Sequence, residues 1–126
     1  MFRLAAVLNR TDYREKAEKI ILTAGGLLKQ YASGFGRMLA AADFYIGPSK
    51  EIAIVGDPDL FRPVLRSKYL PRVVVAGGVG DNVPLLRDRP MLGGKPTAYV
   101  CENFACKQPV TDPAAFEAQI SEEKRT

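Results

Sequence analysis

Four consecutive apolar residues, Ile52-Ala53-Ile54-Val55, stand between the charged pair Lys50-Glu51 and the turn residues Gly56-Asp57-Pro58. A short β-branched run bounded this way predicts a strand buried on both faces, ended abruptly by turn chemistry. Before it the apolar spacing is helical. Tyr13, Ala17, Ile20, Ala24, Leu27, Leu28 and Tyr31 form one stripe, with Arg14, Glu15, Lys16, Glu18 and Lys19 on the other side. Phe35, Met38, Leu39, Ala42, Tyr45 and Ile46 form a second stripe, stopped by Gly47-Pro48. Spacings of three and four place each set on one helical face. Two such helices joined by a short link predict an antiparallel αα-hairpin, which cannot bury its stripes alone.

Local signals mark the helix ends. Thr11-Asp12-Tyr13-Arg14-Glu15 has capping-box spacing, with Asp12 accepting from the first turn and Glu15 reaching back. Ser33 is the expected cap of the later helix. Gly25-Gly26 interrupts the first stripe, and the expected reason is close contact with a neighbouring helix. Phe2–Leu8 reads as the tail of another helix ending at Asn9-Arg10, with no cap before it, as in a chain cut from a longer one.

After the central strand, Asp57-Pro58-Asp59 opens a short helix carrying Leu60, Phe61, Val64, Leu65 and Tyr69, and Leu70-Pro71 ends it. Arg72-Val73-Val74-Val75-Ala76 is a second buried strand, giving a compact βαβ unit with parallel strands. Gly93-Gly94-Lys95-Pro96 turns the chain into a third strand, Thr97–Cys101. Thr111-Asp112-Pro113 caps a last helix carrying Ala114, Phe116 and Ile120, whose end at residues 121–126 is expected to fray. The fold class is mixed α/β. Residues 1–47 form the helical hairpin, and residues 48–126 a small three-stranded, mostly parallel sheet.

The 126 residues are 47% hydrophobic and 25% charged, which suits a folded chain with room for one domain. The net charge of +4 comes from residues 1–50, with eight Lys/Arg against four Asp/Glu. It lies on helices of alternating sign, a solvated-face pattern. No basic run interleaves with aromatics, so nucleic acid is not an expected partner. No apolar run approaches the roughly 18 residues that cross a bilayer, so no membrane is expected either. With two cysteines and no leader signal, the cytoplasm is the expected compartment.

The chain has no histidine and no tryptophan. Nucleophile–histidine pairs and histidine-based zinc sites therefore cannot form within it. Gly77-Gly78-Val79-Gly80 follows a strand, but the third glycine of a dinucleotide fingerprint is missing and Asn82-Val83-Pro84 follows. Gly93-Gly94-Lys95-Pro96-Thr97 lacks P-loop spacing. No cofactor and no metal is expected. Cys101 and Cys106 lie five apart at a strand end and in the next loop, without the Cys-x-x-Cys helix start of a redox motif. Buried structural thiols, a labile disulfide, or half of a site completed by another domain all fit, the first being the simplest. Asp57 and Asp59 flank Pro58 as helix-capping carboxylates. Asp43, near the second apolar stripe, and Arg37 on the same helix are the candidates if the hairpin lines a cavity.

Several runs occur together in order: 11–18 (TDYREKAE), 35–43 (FGRMLAAAD), 51–57 (EIAIVGD) and 94–106 (GKPTAYVCENFAC). Together they resemble the C-terminal end of the long spermatogenesis-associated, thioredoxin-like family. That resemblance implies a parent with an N-terminal thioredoxin-like domain and a helical toroid of the six-hairpin glycosidase kind. Residues 1–47 would be the last toroid hairpins, and 48–126 a small appendage. The implied role is structural closure of the toroid, without catalysis of its own. Its partner would be the rest of the parent chain, or a second copy docked through the hairpin. The alternative is one wall of a sugar-processing or thiol-redox site, with Arg37, Asp43, Cys101 and Cys106 as the residues to test.

Overall fold

The computed structural model describes residues 1–103 and 105–121; the expected fraying of 122–126 falls outside them. Helices α1 (Phe2–Leu8), α2 (Thr11–Gln30) and α3 (Gly36–Ile46) come first. Strand β1 (Lys50–Val55), helix α4 (Arg62–Arg66) and strand β2 (Val73–Gly78) follow. Strands β3 (Thr97–Glu102) and β4 (Ala105–Cys106) and helix α5 (Pro113–Ser121) complete the chain.

The sheet has four strands in the order β2-β1-β3-β4, and only β1 and β2 are parallel. This corrects the expected three-stranded, mostly parallel sheet. The cause is where the connection between β2 and β3 leads. Val55 is level with Gly78 on β2 and with Thr97 on β3. The 79–96 segment therefore leaves and re-enters the sheet at the same end, through 3₁₀ turns at Pro84–Leu86 and Leu92–Gly94. With no helix to carry it back along the sheet, β3 must run antiparallel. Asn103, at φ 50°, then starts the tight reversal into β4.

At that same end, Gly56 has φ 100°, and a Cβ there would lie 2.8 Å from Met91 Sδ and 3.2 Å from Pro96 Cα. Only glycine suits both the backbone and the space.

Alternation along β1 splits the core in two. Ile52 and Ile54, with Ala98 and Val100, meet Phe61, Phe116 and Ile120. Phe61 and Phe116 pack edge-on, 5.1 Å apart. The opposite face, with Ala53 and Val74, is covered by Phe2, Ala17 and Phe44 from the helices and by Leu85 and Leu86. The helical layer and the sheet thus share one of the two cores. Arg3 ties them together, donating to the carbonyls of Val73 and Pro71 at 2.5 Å and lying 4.7 Å over the Phe44 ring. β2 is an edge strand with only Val74 buried, because β1 covers one side of it and nothing the other.

Helix-end chemistry departs from the sequence pattern. α2 begins at Thr11 with Arg10 as its N-cap and no side-chain cap bond. Asp12 is held instead by the Arg10 guanidinium through two 2.7 Å bonds, which lower its carboxyl to about 2. The two-bonded guanidinium–carboxylate fork takes the place of the expected cap. Ser33 lies within a 3₁₀ turn, Ala32–Gly34, and the cap of α3 is Phe35. α5 matches expectation, with Asp112 accepting from the Ala115 amide at 3.0 Å. Gly25 and Gly26 lie inside an unbroken α2, and among the described residues nothing comes within 4 Å of an added Cβ, so the expected close helix contact is not made there.

The largest revision concerns which way the helices face. On α3 the buried residue is Phe44, outside the periodic set. Leu39 is 39% exposed and Ile46 80% exposed. On α2 only Ala17 and Leu28 are buried, while Ile20 and Leu27, and Tyr31 just past its end, are 49%, 50% and 61% exposed. Much of the apolar surface predicted from spacing looks away from this chain's own core.

Candidate functional site

Two concavities mark the helical layer. The first is an apolar groove of about 610 Å³ between α2 and α3, with Phe2, Ile20, Ile21, Phe35 and Met38 in its walls. Arg37 stands exposed at its rim. Asp43 is elsewhere: its carboxylate takes two bonds from Arg72, at 2.5 and 2.9 Å, linking α3 to the residue that precedes β2. That pair draws the Asp43 carboxyl below its ordinary range. Arg72 also fills the space beside Gly47, where a Cβ would collide with its guanidinium. Arg37 and Asp43 therefore do not converge on one cavity wall.

The second is a more polar cleft of about 320 Å³ between α1, the start of α2, the end of α3 and the sheet. Its floor comes from strand register. Glu51 on β1 lies directly opposite Cys101 on β3, and Cys101 opposite Cys106 on β4. Three successive strands thus bring a carboxylate and two sulfurs to one face. Cys101 and Cys106 are joined as a disulfide, where the simplest sequence expectation was two buried free thiols. Cys101 is 3% exposed, while Cys106, on the short edge strand, is open to solvent.

Arg89 reaches this pair from the loop before β3. One terminal nitrogen lies 3.6 Å from Cys101 Sγ and 3.9 Å from Cys106 Sγ. The other donates to the Leu85 carbonyl at 2.7 Å, which fixes the fork. The guanidinium also lies 5.8 Å from the Tyr99 ring centre, and the Tyr99 hydroxyl donates to the Pro90 carbonyl at 2.5 Å. Burial pushes the Glu51 carboxyl above its ordinary range, partly offset by the charges of Arg89 and Arg14. Among the described residues no cluster of three or more potential ligands could hold a metal ion.

Sequence reasoning missed Glu51 and Arg89. Glu51 had a legible signal: a carboxylate in step with Ala53 and Val55 must share their covered face. Arg89 had none, being one arginine in the charged stretch Arg87-Asp88-Arg89.

The chain is similar to spermatogenesis-associated protein 20 of Homo sapiens, with 26% identity over 125 residues, covering 90% of this chain. It is 24% identical to the protein of the same name from Rattus norvegicus over the same coverage. The chain spans 16% of the length of each of these curated relatives. No family model and no solved structure matches it. Among the described residues no helix is long and apolar enough to cross a membrane.

Proposed function

We propose that this chain is a structural segment of a longer protein of the spermatogenesis-associated kind, and that its helical layer docks on further amphipathic helices of that protein. The observation that carries this is the outward apolar face of α2 and α3. Ile20, Leu27, Tyr31, Leu39 and Ile46 are all at least 39% exposed, beside an apolar groove of about 610 Å³. Exposed apolar side chains on this scale, with a groove that Ile20 helps to line, point to an interaction site. The relatives' extra length supplies an occupant, and the periodicity of the uncovered stripes suits helix-on-helix packing. In the toroid that the family resemblance implies, residues 1–47 would supply closing hairpins and the sheet would serve as their buttress.

Produced alone, the chain is expected to bind a hydrophobic dye and to associate in a concentration-dependent way. Ile20→Asp with Leu27→Asp should abolish both without loss of helical circular dichroism, since neither side chain is in the core. A dispersed, dye-silent unsubstituted chain would remove the basis for docking. A dimer of fixed stoichiometry that survives dilution would assign the face to a second copy instead.

A further inference from the structure

We propose that Cys101–Cys106 is an exchangeable redox pair serving low-molecular-weight thiols, with Cys106 the sulfur attacked, Cys101 the departing thiolate, Arg89 its counter-ion and Glu51 its proton donor. The cysteines are five positions apart, and the β3–β4 hairpin already sets them opposite each other. The loop that the bond closes is only a few residues long, so it restricts the unfolded chain less than a long-range bridge does. A stabilising role is therefore the lesser part of what the bond can do.

Accessibility and charge point to exchange. Cys106 is open to solvent, while Cys101 is buried under the cleft floor, so an incoming thiolate meets Cys106 first. A cation beside a sulfur stabilises the thiolate that leaves, and Arg89 is in reach of both. The charged groups lining the cleft with Glu51 are Arg10, Arg14 and Arg89. Arg10 is engaged by Asp12, and Arg14 lies 3.1 Å from Glu18, which leaves Arg89 as the cation at the sulfurs. Glu51 stands across the ladder from Cys101, and its half-buried carboxyl keeps its proton to higher pH than an exposed glutamate.

The chemistry balances as follows. A thiolate attacks Cys106 Sγ, forming a mixed disulfide as the Cys101–Cys106 bond breaks. The electron pair leaves on Cys101 Sγ, which takes a proton from Glu51. A second thiolate attacks the sulfur of the first thiol, releasing a small-molecule disulfide and the Cys106 thiolate, which takes a proton from water. Two electrons pass from two thiols to the protein, and the reverse sequence oxidises it.

The test is equilibration of the chain with the reduced and oxidised glutathione couple, followed by acid quench, alkylation and mass spectrometry. Reversible titration of the folded chain is expected, with circular dichroism unchanged in both states. Arg89→Gln should slow reduction by about tenfold, because the departing thiolate loses its nearest cation before it is protonated. Arg89→Lys should restore most of the rate. Glu51→Gln should leave the equilibrium at neutral pH close to that of the parent, while slowing reduction and flattening its pH profile. A bond that resists the couple until the chain unfolds would overturn the proposal, as would Arg89→Gln folded but equal to the parent. Because these readouts concern thiols and not association, they fail or succeed independently of the docking reading.

Discussion

The two faces of the central sheet are finished to different degrees. Beneath α4 and α5, Phe61, Phe116, Ile52, Ile54 and Val100 are 0–1% exposed, and the layer closes with this chain's own residues. Beneath α1–α3, the best-covered helical side chains, Ala17, Phe44, Phe2, Ala5 and Leu28, retain 6–9% exposure and border surface that none of the described residues covers. The same strands serve both faces, so the difference lies in the layers laid on them. One is a minimal cap for a small core. The other is larger than the core it covers, as a layer shared with additional chain would be.

The sharpest way to break the comparison is by truncation of equivalent aromatics. Phe116→Ala, in the closed face, is expected to cost about 3–5 kcal/mol and to unfold much of the population. Phe44→Ala, in the open face, should cost less, about 2–3 kcal/mol, because its surroundings can relax. Urea denaturation of both variants checks this, and equal costs would mean that the faces are equally consolidated. Gly26→Ala should raise the stability of the isolated chain by about 0.5–1 kcal/mol, since α2 is continuous there and the space is empty. A loss of stability would show that the helix is tighter at that point than described.

The smallest effect is electrostatic. The folded chain holds the Glu51 proton more tightly than the unfolded chain, whose carboxyl titrates near 4.5. The stability contributed by this group is complete below that value and is lost as pH rises through the folded pKa. Glu51→Gln is therefore expected to stabilise the fold near neutral pH, by less than about 1 kcal/mol because the side chain is only partly buried and solvent screens it. Thermal melts on both sides of that range would test the sign.

Three of the four strands were legible in the apolar runs, as was the βαβ unit, because a short helix between two such runs allows few arrangements. The fourth, Ala105–Cys106, was expected as loop, being too short to carry a pattern. The direction of β3 was not, since it depends on where residues 79–96 travel and not on their composition. Helix positions were legible but their orientation was not. Apolar spacing selects a stripe without saying what covers it, and Phe44 is buried because Arg3 and the sheet lie on its side. Of the cluster around the disulfide, the two cysteines stood out and Glu51 was recoverable from alternation. The contact with Arg89 exists only once the loop before β3 has folded.

The β2-β1-β3-β4 order also has a consequence for synthesis. One of the two inner strands, β1, comes from the middle of the chain, and one of its neighbours does not emerge until residues 97–102. Until then the ribosome presents completed helices beside a strand with one naked flank, and closure must wait for a partner more than forty positions downstream. Pairing at that separation is slow and leaves nascent chains vulnerable to sticking together. Translation speed across the final third should therefore govern how much of this polypeptide reaches its native form.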